Sequence, residues 1–360
     1  MSQTKSFSAL FDPIPDPENT NLIKRLLEQK GVKPDSYKEK YFLRRIRVRM
    51  SRLGLRTYKE YYDVLRTNPE ELKQFIESMS INVTRFFRNR DTFEFLENVV
   101  FPTYLKQKFT SNSNNNVTIW VAGVSLGAEA YTYSIIFSRL RERMRKNFTY
   151  SILATDINPL NINYANRGVY SPELLQELKK DEIEKYFTPT IDGEYRIKPT
   201  YQRFVRFERQ DLLLSQYPKN VDIISCRNVL IYISKEEQER IINGFIRSLV
   251  PNGILILGRT ESIFGEARKY LEPIDLRHRI YRKKSLSEKK TAQQIYGANR
   301  YITTKPTNIK KQDSSPTIVE TGATIKEIIE KLRQANQESR KRYQQRNFYP
   351  NYRRHSSTKK

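Results

Sequence analysis

Apolar runs that alternate with helix-like segments between residues 117 and 257 constrain the fold of this chain more than any other feature. The apolar runs are typical of buried strands, and they read VTIWVAG, YSILATDI, VDIISC and GILILG. The segments predicted as helices read AEAYTYSIIFSRLRERM and SKEEQERIINGFIRSLV. Strands that alternate with helices predict a mostly parallel, Rossmann-like sheet in a doubly wound α/β domain. The segment RHRIYRKK is predicted as a final edge strand.

Pattern and composition divide the chain into four parts. They are an N-terminal extension, a helical domain with its linker, the α/β domain and a basic tail, over residues 1–20, 21–95, 96–284 and 285–360. Between the second and third strands, TIDGEYRIKPTYQRFVRFER contains the turn signal Asp192-Gly193. We therefore predict a small antiparallel β insertion over about residues 188–210.

The segment YKEKYFLRRIRVRMSRLGLR carries two rows of residues at helical spacing. One row is apolar and consists of Leu43, Ile46, Met50 and Leu53. The other is basic and consists of Arg45, Arg49, Arg52 and Arg56. Helical geometry places the second row roughly opposite the first. An ordinary solvated face explains such a row, but aligned arginines repel one another, so the row also indicates a negatively charged partner.

The formal net charge is +25, and the tail carries it most densely. Residues 285–360 contain 17 Lys and Arg against 6 Asp and Glu. Such a balance favours an anionic partner for the tail: nucleic acid, a membrane surface or an acidic protein. The stretch ATIKEIIEKLRQ predicts a short amphipathic helix near residues 323–345. This helix could dock a partner or pack against the body of the protein.

Cysteine and histidine are too few for several kinds of site. The single Cys226 excludes a disulfide framework and a thiolate metal cluster, and with only two His residues zinc sites and Ser-His-Asp catalysis are not expected. The sequence contains no apolar run of membrane-spanning length, and its start does not resemble a secretion signal. We therefore expect a cytoplasmic protein without a metal.

Polar residues follow three of the predicted strands. Gly123 and Gly127 flank a tight loop in AGVSLGAE, Asp156 ends the second strand, and Asn228 and Tyr232 follow the third. An acidic residue at the tip of the second strand can accept hydrogen bonds from both ribose hydroxyls, although it could also cap the next helix. The loop is not G-x-G-x-x-G, so a pyrophosphate site is not indicated. These residues predict a nucleoside site, and S-adenosylmethionine is the cofactor that suits it.

Five motifs together carry a family resemblance. They read RMSRLGLRTYKEYYDVL, NVTRFFR, AGVSLGAEAYTYS, ILATDINPLNINYANRGVYS and CRNVLIYISKEEQERII followed by LVPNGILILGRTES. In this order they resemble the chemoreceptor glutamate methyltransferases, the CheR family, from about residue 21 to residue 282. The resemblance implies a class I methyltransferase domain, an N-terminal helical domain that recognises the receptor, and S-adenosylmethionine as methyl donor. It further implies methyl ester formation on glutamates of methyl-accepting chemotaxis receptors, S-adenosylhomocysteine as product, and recruitment to receptor arrays.

The resemblance also implies roles for individual residues. The cofactor pocket would be lined by Asn82, Thr84, Arg88, Gly123, Glu129, Asp156, Asp211, Leu212, Asn228 and Val229. Glu129 would hold the methionine part and Asp156 the ribose. The motif NVTRFFR would link the two domains and close over the cofactor, with its two Phe residues as an apolar wall.

A glutamate carboxylate is already ionised at neutral pH, so methyl transfer to it needs no general base. The enzyme must instead orient the carboxylate and strip water from it. We expect Arg88 and Tyr232 to orient the substrate. The row Arg45, Arg49 and Arg52 would meet the acidic methylation region of a receptor helix.

This chain departs from the family pattern at three positions. Ala128 and Ala130 stand where the family usually has Glu and Pro, and Asp211 stands where it commonly has Asn. Two alternatives follow from the charge and the tail: a nucleic-acid methyltransferase and a non-catalytic cofactor-binding scaffold for signalling. The nucleic-acid methyltransferase lacks support because the third strand is not followed by an Asn-Pro-Pro-aromatic element that could stack on a base.

Overall fold

The computed structural model describes residues 14–79, 84–111, 115–145, 147–214 and 216–285. The extension up to residue 13, the predicted cofactor residue Asn82 and the tail from residue 286, with its predicted amphipathic helix, lie outside these ranges.

The described helices occur in both domains. In chain order, α1 to α12 span Pro17–Glu28, Glu39–Leu53, Tyr58–Thr67, Pro69–Ser78, Arg90–Phe95, Phe101–Ser111, Ala128–Met144, Pro159–Arg167, Lys180–Tyr186, Pro199–Gln202, Lys235–Ser248 and Ala267–Tyr270. A π-helical turn, Leu96–Val100, joins α5 to α6. Short 3₁₀ turns cover Pro34–Ser36, Pro172–Leu175 and Leu230–Tyr232.

The strands of the described ranges form two sheets. In chain order, β1 to β10 span Asn116–Ala122, Thr149–Asp156, Val169–Tyr170, Phe187–Pro189, Tyr195–Ile197, Val205–Arg209, Val221–Cys226, Leu249–Leu257, Leu271–Asp275 and Ile280–Lys283. The main sheet has the order β6-β2-β1-β7-β8-β10-β9, and a small sheet has the order β3-β5-β4.

The main sheet confirms the predicted doubly wound α/β fold. The strands from β6 to β8 pair in parallel, and β10 is antiparallel to both of its neighbours. From β1 the chain runs outward to β2 and β6, and it then crosses to β7 on the other side of β1 and continues to β8. Such a reversal opens a crevice at the carboxyl ends of the strands, where ligands bind in open α/β sheets.

Two strand assignments from the sequence were wrong. The segment RHRIYRKK supplies β10, which lies between β8 and β9 and is therefore not the edge strand. The segment VRFER supplies β6, which extends the main sheet beside β2 instead of belonging to the insertion. The insertion itself consists of β3, β4 and β5, and the predicted Asp192-Gly193 turn connects β4 to β5. Gly193 has φ +75° there, a conformation that favours glycine.

The N-terminal domain packs α1 to α4 around its own apolar core, and its first helix begins at Pro17, before the predicted start at residue 21. In the predicted apolar row, Ile46 and Met50 are fully buried whereas Leu53 is 43% exposed. In the predicted basic row, Arg49 is buried because α4 presents a buried Glu71 to it. Placing Arg49 on an outward face was therefore wrong.

A short segment of the N-terminal domain binds the loop that follows β7. The backbone nitrogen of Lys38 donates to the carbonyl of Tyr232 over 2.9 Å, and its Nζ donates to the carbonyl of Ile231 over 2.8 Å. The backbone nitrogen of Ser234 donates to the carbonyl of Ser36 over 2.8 Å. These bonds attach the helical domain directly beside the carboxyl ends of the parallel strands.

Within the described ranges no helix combines the length and apolar character that crossing a membrane requires.

Candidate functional site

An open cavity of about 980 Å³, solvent at its mouth included, lies at the carboxyl ends of β1, β2 and β7. Ten residues predicted for cofactor or substrate line it together: Thr84, Arg88, Gly123, Glu129, Asp156, Asp211, Leu212, Asn228, Val229 and Tyr232. They come from five separate segments of the sequence. The fold thus brings together the predicted residues of this site that lie within the described ranges.

Asp156 is the last residue of β2 and is 7% exposed. Its carboxylate accepts hydrogen bonds from the backbone nitrogens of Ser125 at 2.8 Å and Asn158 at 2.9 Å, and from Nδ2 of Asn161 at 3.2 Å. Burial raises the pKa of Asp156, and these hydrogen bonds oppose the rise. The three hydrogen bonds hold Asp156 rigidly. Because a carboxylate has roughly four acceptor positions, Asp156 can still accept a hydrogen bond from a ligand hydroxyl.

The loop between β1 and α7 depends on glycine at two points. Gly123 has φ +74°, and a Cβ there would lie 2.4 Å from Cγ2 of Val229. Gly127 has φ +90°, and a Cβ there would lie 2.7 Å from Cβ of Ala165. Only glycine combines this backbone conformation with such close contacts. Gly123 therefore lets the loop approach Val229 on the cavity wall, and Gly127 lets it pack closely on α8.

Glu129 lies in the first turn of α7 and is held by two partners. Ser225 donates its hydroxyl to Oε1 over 2.7 Å, and Nη1 of Arg227 donates to Oε2 over 3.1 Å. Arg227 also donates to the carbonyl of Arg88 over 3.0 Å and lies 4.8 Å from the ring centroid of Phe93. It therefore connects the linker, α7 and the end of β7.

The sequence interpretation missed Arg227, although a signal was present. A charged residue that directly follows a fully buried strand must have partners, because an unpaired buried charge is very costly. Arg227 follows β7, whose six residues are all buried, and is itself 5% exposed.

Glu261 is a second residue that the sequence interpretation missed. It is 3% exposed, and its carboxylate accepts hydrogen bonds from the backbone nitrogens of Gly258, Asn228, Val229 and Leu230. Burial raises the pKa of Glu261 and the backbone hydrogen bonds oppose this. The same bonds fix the Asn228–Leu230 loop, in which Asn228 has φ +61°.

Asp211 and Leu212 line the cavity from the segment after β6. Asp211 Oδ1 accepts from the backbone nitrogen of Leu213 over 2.8 Å, so the departure from the family's Asn still supports the local turn. The carbonyl of Leu212 accepts from the hydroxyl of Tyr217 over 2.6 Å. These contacts order the loop from which both side chains reach the cavity.

The two Phe residues of NVTRFFR do not form the predicted wall of the cavity. Phe86 is fully buried against Tyr170 and Phe187, and Phe87 packs on Phe93. They anchor the linker in the core of the α/β domain. Thr84 and Arg88, on either side of them, line the cavity.

Of the predicted substrate-recognition arginines, Arg52 is exposed at the end of α2 and Arg45 is partly buried. The guanidinium of Arg45 lies 5.0 Å from the ring centroid of Tyr41. Tyr41 in turn packs on Tyr232, with 4.9 Å between the ring centroids. Neither arginine lies on the wall of the cavity.

The cavity wall suits a nucleoside cofactor with an amino-acid part. Three buried atoms of wall residues have no hydrogen-bond partner among the described residues: the oxygens Ser125 Oγ and Gln210 Oε1, and the nitrogen Arg227 Nε. The two oxygens are acceptors on residues of the cavity wall. Buried polar atoms are normally paired, so these two indicate a polar ligand. S-adenosylmethionine offers hydroxyl and amino donors to these oxygens, to Asp156 and to Glu129, and its carboxylate suits a guanidinium. The residues present therefore fit this cofactor.

In the described part of the chain, no group of three or more His, Cys, Asp or Glu side chains is arranged to hold a metal ion.

Comparison with known proteins agrees with this geometry. The family model "CheR methyltransferase, SAM binding domain" matches residues 82–280, and "CheR methyltransferase, all-alpha domain" matches residues 18–80. A chemotaxis protein methyltransferase of Listeria innocua is 35% identical over 259 residues, which are 71% of this chain and 94% of that protein. One from Borreliella burgdorferi is 31% identical over 261 residues, covering 71% and 92%.

Proposed function

Because this chain belongs to the CheR methyltransferase family, whose two domains match residues 18–80 and 82–280, we propose that it methylates glutamate side chains of chemotaxis receptors. Its cofactor is S-adenosylmethionine. The products of the proposed reaction are a glutamate γ-methyl ester and S-adenosylhomocysteine. The observation that carries the proposal is one cavity that contains acceptors for the cofactor together with Arg88 and Tyr232.

The reaction requires orientation of the substrate and removal of water. When bound, S-adenosylmethionine supplies an electrophilic methyl group, and the glutamate carboxylate is ionised at neutral pH. Arg88 would bind one carboxylate oxygen and leave the other to attack. Burial lowers the pKa of Arg88, and repulsion from Arg227 adds to this effect. An anionic substrate would therefore favour the charged guanidinium.

The remaining cavity residues would hold the cofactor. Asp156 would accept hydrogen bonds from the ribose, and Glu129 would bind the amino group of the methionine part. Arg227 holds Glu129 in place and also binds the backbone of Arg88. The buried guanidinium of Arg227 would therefore hold the cofactor-binding Glu129 and the substrate-binding Arg88 in position relative to each other.

Receptor recognition would involve the basic surface of α2. Arg52 is exposed, whereas Arg49 is buried with Glu71 and is removed from this set. We propose that Arg52, with the exposed part of Arg45, meets the acidic methylation region of a receptor helix. The protein would then act on the cytoplasmic side, at receptor arrays.

The test uses purified full-length protein, S-adenosylmethionine labelled at the methyl group, and receptor-containing membranes, with RNA and DNA in parallel reactions. We expect label on receptors that alkali releases as methanol. Arg88→Ala should lower kcat/KM by on the order of a hundredfold or more, because the orienting charge is lost. Arg85→Ala is the matched control, since Arg85 lies on the same linker, is 40% exposed and does not line the cavity.

Each result decides between functions. Label on nucleic acid instead of receptors would replace the proposal by a nucleic-acid methyltransferase. Cofactor binding without transfer to any substrate would favour a scaffold. Equal activity of the Arg88→Ala and Arg85→Ala variants would remove Arg88 from the mechanism.

A further inference from the structure

Tyr41 connects the N-terminal domain to the wall of the cavity. It lies on α2, is 9% exposed, and packs its ring on that of Tyr232 with 4.9 Å between centroids and 38° between planes. Contact between two aromatic rings restrains the orientation of both. Tyr232 lines the cavity, so the orientation of its ring depends on a residue of the other domain.

The hydroxyl of Tyr41 makes a second connection. It donates to the backbone carbonyl of Met79 over 2.6 Å, and this bond is buried. Met79 follows the last residue of α4 and lines the cavity. The hydroxyl therefore holds Met79 in position on the cavity wall.

We propose that Tyr41 is a positioning residue for methyl transfer: its ring sets the orientation of Tyr232, and its hydroxyl sets the position of Met79 on the cavity wall. This inference rests on the proposed function. It assigns a second role to the N-terminal domain, which completes the substrate-binding wall as well as recognising the receptor.

Neighbouring contacts support this role. The carbonyl of Tyr232 accepts from the backbone nitrogen of Lys38, so the same domain holds both the backbone and the ring of Tyr232. The guanidinium of Arg45 lies 5.0 Å from the centroid of the Tyr41 ring, which restrains that ring further. Arg45 would thus act through Tyr41 in addition to any contact with the receptor.

Tyr61 provides a control for a merely structural role. It lies in the same domain core, is fully buried, and donates its hydroxyl to Oε1 of Glu71 over 2.9 Å. It does not line the cavity. Tyr61→Phe therefore removes a buried hydroxyl of the same kind without touching Tyr232 or Met79.

The experiment compares Tyr41→Phe, Tyr41→Leu and Tyr61→Phe in the full-length protein. Thermal unfolding, kcat and KM on receptor membranes, and calorimetric affinity for S-adenosylhomocysteine are measured for each. Tyr41→Phe should weaken the affinity by about fivefold, since one hydrogen bond is lost. Tyr41→Leu should in addition lower kcat by on the order of tenfold to a hundredfold through misplacement of Tyr232. Tyr61→Phe should lower the melting temperature only.

A double-mutant cycle separates positioning from general destabilisation. In a Tyr232→Leu background, Tyr41→Leu should cause little further loss of kcat, because the ring that it orients is absent. Additive losses, or Tyr41 variants whose kcat and affinity match those of Tyr61→Phe, would overturn the proposal. If the wild type transfers no methyl group to receptors, the proposed function fails separately, and the S-adenosylhomocysteine affinities still decide whether Tyr41 positions Met79 on the cavity wall.

Discussion

Gly123 and Gly193 share a backbone conformation but differ in their surroundings. Their φ angles are +74° and +75°. A Cβ at Gly123 would lie 2.4 Å from Cγ2 of Val229, whereas a Cβ at Gly193 would have no atom within 4 Å. The pair therefore separates the cost of the backbone conformation from the cost of crowding the cavity.

We expect both Gly123→Ala and Gly193→Ala to lower the free energy of unfolding by about 1–2 kcal/mol, since both place a side chain at positive φ. Gly123→Ala should also displace Val229 and weaken S-adenosylhomocysteine binding by about tenfold or more. Denaturant unfolding and calorimetry measure the two effects. Equal cofactor affinities in the two variants would show that the contact between Gly123 and Val229 does not shape the cavity.

At the scale of single residues, the sequence was sufficient to locate the polar site residues at and just after the ends of strands. Asp156, Asn228 and Tyr232 could be placed near one another because parallel strands end at a common edge. The main partners of Arg227 and Glu261 could not be identified because they are distant in sequence: Glu129 precedes Arg227 by 98 residues, and Glu261 binds the backbone of Asn228 and Leu230 more than 30 residues earlier. Composition does not reveal such pairings.

At the scale of elements, α9 is joined to α5 and α7 by a cluster of charges. Glu182 on α9 accepts from Arg90 on α5 at 2.9 Å and from Arg139 on α7 at 2.8 Å. Burial opposes the charge of Glu182, but hydrogen bonds from Arg90, the Lys179 backbone and Arg139 outweigh it and hold its pKa at about 2. The cluster anchors the insertion beside the linker that leads to the cavity.

This low pKa predicts a pH dependence of stability. Because the pKa is lower in the folded state than its ordinary 4.5, the stabilisation is complete above about pH 5 and is lost as the pH falls toward 2. Its size is on the order of 3 kcal/mol. Glu182→Gln should lose this amount at pH 7 and show a flatter decline of unfolding free energy between pH 5 and 2.

The control is Glu184→Gln, an exposed position on the same helix. Comparison of the two variants separates the loss of the buried, paired carboxylate from the loss of an exposed one. A Glu182→Gln profile parallel to that of the wild type would mean that other carboxylates dominate acid unfolding.

The assignments that failed at this scale depended on pairing rather than on strand propensity. Sequence reasoning recognised that VRFER and RHRIYRKK are extended, but strand order follows from which edges remain available after the helices have packed. β6 pairs in parallel with β2, and β9 covers β10. The partner of β6 lies about 50 residues earlier in the chain, where no local pattern points to it. β9 directly precedes β10, but its sequence LEPID has Pro273 at its centre, which argues against a strand when only the sequence is read.

At the scale of the whole molecule, hydrogen bonds next to the cavity join the two domains, together with the ring contact between Tyr41 and Tyr232. Lys38 begins this contact with φ −61° and ψ 131°, and Tyr37 before it is extended. Proline adopts such a φ without strain and accepts an extended preceding residue. Lys38→Pro therefore removes both bonds from Lys38, to Tyr232 and Ile231, with little local distortion.

Lys198 offers a matched control inside the insertion. It has φ −66° and ψ 141°, its backbone nitrogen donates to Tyr186 over 2.9 Å, and its Nζ donates to the carbonyl of Glu184 over 2.8 Å. Lys198→Pro thus removes the same two kinds of bond at a distance from the domain contact. Each variant should lose about 1–3 kcal/mol of unfolding free energy, because a carbonyl is left without its donor.

The two variants should differ in how the cofactor stabilises them. S-adenosylhomocysteine stabilises the folded protein in proportion to the logarithm of its concentration over its dissociation constant. If docking of the helical domain completes the cavity, Lys38→Pro weakens this binding by up to about tenfold and reduces the cofactor-induced rise in melting temperature. Lys198→Pro keeps the wild-type rise. Equal rises in both variants would mean that the α/β domain forms the cofactor site alone, and that the helical domain contributes only to receptor binding.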